Sequence, residues 1–313
     1  MERLLETLTL RIRLLTPLRI GGGAEGNLQQ QLYSSIVAEA TLEIRDNSPR
    51  AAGIVWRSLP VIPATTVKGL LRATTERIAA TLYSGYVSTE PKSIEELPRL
   101  LAALHHQPDP EESQQRRSQR LQQLAPLHSK PSRFKPLNGR EHALTDKAIA
   151  QLQNELEPCT LKPPEDAPRD WAYEALASRY CPICILYGST HQAGAIRPLD
   201  ALPEGEPQAR VKTHVAIDRA LKIKSEAKLY TEELVEAGAV FTTRIHILWP
   251  LPTLEEKTNK LCKKLYEAAL AEAKRLWRLT QQYLEQATIQ LGSGKSRGAG
   301  LAKIVVAPYI SVG

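Results

Sequence analysis

The sequence predicts an α+β fold, an elaborated ferredoxin-like domain, on three observations. Two segments alternate apolar and polar residues as half-buried strands do, and each precedes a stretch with helical spacing. The order reads strand, hairpin, helix, insertions, strand, helix, strand. A polar stretch in the middle of the chain breaks the pattern as an insertion would.

The first strand runs from Glu6 to Leu14, where Leu8, Leu10, Ile12 and Leu14 alternate with Thr9, Arg11 and Arg13. It stops at Thr16-Pro17. Leu18-Arg19-Ile20 then runs into Gly21-Gly22-Gly23, a loop whose missing side chains let another backbone approach closely. Residues 33–60 read as a β-hairpin, with Ile36, Val37, Leu42 and Ile44 in one arm and Asp46-Asn47-Ser48-Pro49 as the turn. Ile62-Pro63 leads to Thr65-Thr66, expected N-cap residues, and to a helix over 67–82 with Val67, Leu70, Leu71, Ile78 and Leu82 on one side.

A second helix is expected from Ser93, whose spacing to Glu96 matches a capping box. From about His105 to Pro136 the chain is crowded with Gln, Ser, Pro, Arg and Glu and lacks the apolar content of a core. The chain is therefore divided into 1–90, an insertion over 91–175 expected to be partly mobile, and 176–313, which completes the core. Lys212 to Gly238 reads as a polar connection, and Ala239 to Trp249 as a strand with Arg244 and His246 turned away from its apolar face. A long amphipathic helix covers 254–286, carried by Leu254, Leu261, Leu265, Ala269, Leu276, Leu279 and Tyr283. Ile289 to Leu291, a glycine loop and Leu301 to Ala307 close the chain as a last strand or hairpin.

Composition narrows the function classes. No apolar run approaches the roughly 20 residues of a membrane helix, so no membrane partner is expected. MERLLETLTLRIRLL has no secretory-signal core, which favours the cytoplasm. A net charge of +7 favours a polyanionic partner, because neutralising phosphates releases counterions.

Gly292-Ser293-Gly294-Lys295-Ser296-Arg297-Gly298-Ala299-Gly300 is the most informative stretch. A P-loop would need glycine where Ile289 stands and a helix where Leu301 to Val306 is strand-like. A hydrolase elbow of the G-x-S-x-G kind would need an acid and a histidine downstream, and residues 299–313 contain no Asp, Glu or His. A dinucleotide fingerprint fails because its third glycine arrives one position late. What survives is a glycine turn with Lys295, Ser296 and Arg297 at its tip, offering backbone N–H groups and two cations to phosphates, or else an ordinary flexible loop. Thr65, Thr66 and Lys68 at a helix start form a second phosphate seat, or a well-capped surface helix.

Cys181 and Cys184 form a C-x-x-C pair that fits half of a tetrahedral zinc site, with Cys159 and a histidine such as His142, His191 or His128 completing it. Buried reduced cysteines are the competing reading. Redox catalysis is disfavoured, since no thioredoxin-like pattern surrounds the pair. His214 and Asp218 are read as a salt-bridged or RNA-facing strand edge in preference to an acid–base pair.

Four separated motifs carry a family resemblance: Thr16-Pro17-Leu18-Arg19-Ile20-Gly21-Gly22; Ile62-Pro63-Ala64-Thr65-Thr66-Val67-Lys68-Gly69-Leu70-Leu71-Arg72; Cys181-Pro182-Ile183-Cys184-Ile185-Leu186-Tyr187-Gly188-Ser189 with Val215-Ala216-Ile217-Asp218-Arg219; and the terminal glycine loop. In this order they resemble the RAMP superfamily, specifically the repeated backbone subunits of type III CRISPR effector complexes, in an insertion-bearing form like the III-D variant.

The resemblance implies an RNA-recognition-motif-like (RRM-like) core that grips a guide RNA backbone through the loops and helix start named above. Arg19, Gly21, Gly22, Thr65, Thr66, Lys68, Arg72, Arg219, Gly294, Lys295, Ser296 and Arg297 are its candidate contacts. It also implies a thumb at the 33–60 hairpin, a target single-stranded RNA, and neighbouring effector subunits as partners. In active relatives an aspartate ahead of the second motif supports metal-dependent RNA cleavage, with Mg or Mn as the ion. Asp46 is the only aspartate in that interval. A scaffold subunit, a target-cleaving subunit and a stand-alone RNA-processing nuclease are the readings left.

Overall fold

The structure, a computed structural model, describes residues 5–25, 28–32, 34–45, 48–84, 93, 95–106, 178–189, 191–217 and 224–308. Asp46, His142, Cys159, Asp218, Arg219 and the greater part of the expected insertion lie outside the described residues. The helices are α1 (Ala64–Tyr83), α2 (Leu97–His106), α3 (Pro182–Tyr187), α4 (Leu254–Thr258) and α5 (Lys260–Gln286). The chain forms two compact units.

The first unit comprises Glu6–Leu70, Arg197–His246 and Gln281–Gly313 and holds nearly all of the strands. Its main sheet contains β1 (Leu5–Leu14), β6 (Ile196–Pro198), β10 (Val240–Leu248) and β12 (Leu301–Pro308), in the order β12-β1-β10-β6. β11 (Ile289–Gln290) extends one edge, and β7 (Leu202–Pro203) also pairs with β10. Counted along the chain, the four main strands are thus arranged fourth, first, third, second. With α1 between the first and second and α5 between the third and fourth, this is a βαββαβ order, a mixed α+β architecture compatible with the ferredoxin-like fold.

The alternation in β1 sets its register. Leu10, Ile12 and Leu14 are buried while Arg11 and Arg13 are exposed. Their antiparallel partners on β12 follow suit, Ile12 facing Ile304 and Leu14 facing Ala302.

The expected hairpin is present as β4 (Ser34–Arg45) and β5 (Ser48–Pro60), paired from Ser34↔Pro60 to Arg45↔Ser48. Two strand pairs were not legible. Gly21-Gly22-Gly23 is not a loop but part of β2 (Gly21–Glu25), paired with β3 (Leu28–Leu32), and its register shifts at the glycines, which tolerate bulges. The polar connection proves to be β8 (Ala209–Ile217) and β9 (Lys224–Val235), an antiparallel pair whose charged residues hide any apolar period.

The second unit comprises Met1–Leu5, Leu71–Ile196 and Ile247–Thr280 and is mainly helical. Leu71, Leu100, Leu101, Ile183, Ile185, Leu265, Ala269 and Leu276 are among its buried residues. Three buried hydroxyls satisfy one another: Thr75 Oγ1 lies 2.7 Å from Tyr187 Oη and 2.8 Å from Thr280 Oγ1.

Two helix boundaries differ from expectation for local reasons. α2 starts at Leu97 because Pro98 is tolerated only in a first turn; starting at Ser93 would set its ring against an earlier carbonyl. The predicted 254–286 helix is interrupted at Asn259, whose Oδ1 accepts the N–H groups of Leu261 at 2.9 Å and Cys262 at 3.3 Å and so caps α5 afresh.

Candidate nucleic-acid interface

In the first unit the glycine loop is held against the segment Pro17–Arg19. Ser293 N–H donates to the Arg19 carbonyl at 3.0 Å, and Gly300 N–H to that of Pro17 at 2.9 Å. A Cβ on Gly292 would lie 2.2 Å from the Arg19 oxygen, and one on Gly300 1.8 Å from the Leu291 oxygen. These two glycines serve close backbone contact. The other face of the segment is tied to β9 by a reciprocal pair of 2.8 Å bonds between Leu18 and Val235.

Within the loop, Lys295–Arg297 form a 3-10 turn between Gly294 and Gly298, both in the left-handed region at φ 75° and 77°. The Gln290 side-chain amide braces it from inside, donating to the Lys295 carbonyl at 2.7 Å and that of Ala299 at 3.0 Å. Sequence reasoning missed Gln290, because a half-buried glutamine at a strand end carries no local signal.

The loop's amides are less available than expected. Those of Ser293 and of residues 297–300 are all spent on backbone carbonyls. What it offers outward is the exposed side chains of Lys295, Ser296 and Arg297.

Arg19, only 15% exposed, joins this loop. Its Nη1 donates to Ser293 Oγ at 3.2 Å and stands 3.5 Å from Glu232 Oε2. Arg297 approaches the same carboxylate oxygen at 3.5 Å with its Nη2. Together with Arg210, Lys212 and Gly294 they line an open cleft of about 80 Å³, large enough for ligand oxygens or a few waters. Arg19, Gly294 and Arg297 are thus brought together; Gly21 lies beside them, its Cβ position 3.7 Å from an Arg19 terminal nitrogen. Gly22 follows in β2.

The second expected seat is different from its prediction. α1 begins at Ala64, so Thr65 and Thr66 are inside the helix and not its caps. The Ala64 N–H donates to Asp200 Oδ1 at 2.7 Å, and this carboxylate takes the place at the helix start that a phosphate would favour. Thr65 is exposed and Lys68 half-buried. Arg72 falls in the second unit, where it pairs with Glu76 at 2.8 Å one turn on.

Cys181 and Cys184 are fully buried. The Cys181 carbonyl accepts the Ile185 N–H at 3.0 Å and the Cys184 carbonyl the Gly188 N–H at 2.8 Å, so the pair opens α3. The motif's glycine is steric: a Cβ on Gly188 would lie 2.8 Å from the Gly194 nitrogen. Two thiols are half of a tetrahedral ligand set. Among the described residues no group of three or more His, Cys, Asp or Glu side chains is placed to hold a metal ion, and Cys159, His128 and His142 of the expected set lie outside them.

A family model described as the RAMP superfamily matches residues 11–303. The chain belongs to the RAMP superfamily. Membership brings a CRISPR-associated RNA-binding role, and the matched span takes in β1, Arg19, α1 and the whole glycine loop of this RAMP protein. A comparison with curated proteins gives no match. Among the described residues no helix is long and apolar enough to cross a membrane.

Proposed function

We propose that this RAMP protein is a backbone subunit of a type III CRISPR effector complex and grips the ribose-phosphate chain of a guide RNA. The observation that carries the reading is the glycine loop, closed against Pro17–Arg19 with Lys295 and Arg297 exposed and Arg19 held just behind them. Cations on a preformed turn bind phosphates without reading bases, as a subunit that must accept any guide requires. In this reading β4 and β5 form the thumb that shapes the guide–target duplex, and the target RNA and neighbouring subunits are the remaining partners.

Purification from the native host, followed by sequencing of bound nucleic acid, tests the proposal. Guide RNAs of defined length are expected; a nucleic-acid-free monomer would overturn it. Asp46→Ala in the assembled complex addresses cleavage separately: a scaffold subunit leaves target cutting unchanged, whereas loss of one cut site would assign the nuclease role.

A further inference from the structure

The main sheet of the first unit has two unlike faces. One carries Leu10, Ile12, Phe241, Ile245 and Ile304, all buried. The other is open, and three aliphatic side chains on it are strongly exposed: Val305 at 58%, Leu199 at 47% and Leu202 at 41%. Cations stand among them. Arg11 and Arg13 on β1, Arg244 on β10 and Arg197 on β6 are exposed as well.

Strand pairing sets these residues in rows. In the central row Val305 of β12 lies opposite Arg11. Arg11 and Thr242 of β10 both donate to Glu204, and Leu202 of β7 lies opposite Thr242. On one side of this row Arg13 faces Lys303. On the other, the Leu199 N–H donates to the Arg244 carbonyl at 2.9 Å, and Arg197 stands on β6 at the end of the strand order. Aliphatic and cationic side chains are thus interleaved over β12, β1, β10, β7 and β6.

RNA suits this face poorly. Single strands bind where bases stack on aromatic rings, and Phe241, which alone among the residues of these five strands is Phe, Tyr or Trp, is buried on the opposite face. Glu204 stands in the middle of the face, where its charge repels phosphate. Exposed aliphatic side chains also gain nothing from a ribose-phosphate chain. A protein answers all three features. Its own aliphatic side chains cover Val305, Leu199 and Leu202, its carboxylates meet the arginines, and Glu204 keeps Arg11. Arginine is enriched in protein interfaces, where its planar fork takes a carboxylate with two parallel bonds. The Arg11–Glu204 pair, bonded twice at 2.8 and 2.6 Å, shows that geometry on this very surface. A second copy of the chain is a worse fit, because a net charge of +7 sets copies against one another.

We propose that the open face of this sheet is a docking surface for a different protein, whose contact patch places aliphatic side chains between carboxylates that pair with Arg13 and Arg197. The proposal goes beyond guide binding, which concerns the glycine loop, and stands without it.

The test places the photoreactive residue p-benzoylphenylalanine at Val305 of the full chain, irradiates intact cells of the native host and identifies the attached peptide by mass spectrometry. The expected product is a different protein, joined at a segment in which Asp or Glu flank aliphatic residues. Attachment to RNA, to a second copy or to a segment without carboxylates would overturn the inference, as would no attachment at all. Retention of the attached protein is then compared between the parent, Arg13→Glu with Arg197→Glu, and the milder Arg13→Gln with Arg197→Gln. It is expected to fall about tenfold in the first pair and about threefold in the second, because like charges now meet or a charge goes unmatched. Oligouridylate binding and the unfolding midpoint should stay those of the parent, and exchanging the partner's carboxylates for Lys should restore retention by the Glu variant. Parental retention, failure of that exchange, or a parallel loss of oligouridylate binding would each sink the proposal. Should the Glu variant not fold, the Gln variant decides alone. A cross-link to such a segment in a sample that contains no guide RNA would support this surface while removing the guide-binding reading.

Discussion

A methyl group at Gly300 has nowhere to go, standing 1.8 Å from the Leu291 carbonyl oxygen at φ 78°, whereas one at Gly298, φ 77°, meets nothing within 4 Å. The two glycines share a backbone conformation and differ only in room. Gly298→Ala is therefore expected to cost about 1–2 kcal/mol, the ordinary penalty of a left-handed alanine. Gly300→Ala adds a backbone collision and is expected to cost more than about 3 kcal/mol. Thermal unfolding of the two variants separates the effects; equal midpoints would contradict the close approach of 291 and 300. The same reasoning divides the glycine loop by task. Gly292 and Gly300 permit contact, while Gly294 and Gly298 bracket the turn that displays Lys295, Ser296 and Arg297.

At the scale of elements, the helical unit is fastened by ion pairs whose carboxylates are buried. Arg179 donates to both oxygens of Glu256, at 2.9 and 2.6 Å, and to the Leu251 carbonyl at 2.9 Å, with its guanidinium 5.5 Å from the centre of the Tyr266 ring. Arg179→Ala would strand a buried carboxylate and is expected to cost about 3–5 kcal/mol in denaturant unfolding. Burial pushes the Glu256 carboxyl up, yet the Arg179 hydrogen bond and charge and the Thr253 N–H outweigh it and hold it below the ordinary carboxylate value. Glu272 behaves alike: burial raises it, while the Tyr83 hydroxyl, Arg275 and Arg99 together bring it lower.

A depressed folded-state pKa means stabilisation that is complete above the unfolded value, near 4.5, and fades as pH falls through the lower folded value. Acid titration followed by circular dichroism should therefore show stability declining below about pH 4.5, and Arg179→Ala should blunt that decline.

The elements that the sequence made legible are those with a dominant period: the buried alternation of β1 and β10, the hairpin of β4 and β5, and the stripes of α1 and α5. β8 and β9 stayed hidden because charged residues occupy both strands. The candidate site was legible where cations and glycines adjoin in sequence, at 292–300. It was not legible where partners come from afar, as with Glu232 beneath Arg19 and Arg297, or Asp200 at the start of α1.

For the molecule as a whole, the candidate phosphate contacts Arg19, Lys68, Lys295 and Arg297 all reside in the first unit. Reversing Lys68, Lys295 and Arg297 together is expected to abolish guide retention at physiological salt. Each cation that meets a phosphate contributes about 0.7 to the slope of log affinity against log salt for a single strand, so neutralising all three should flatten that slope by about 2. Undiminished retention would mean that RNA travels over another surface. The Gln290 brace has a kinetic meaning as well. A turn already ordered by two bonds from one amide needs no rearrangement on encounter, so capture should proceed in a single concentration-dependent phase. Gln290→Ala should introduce a slower second phase, as a loosened turn gathers itself around its ligand.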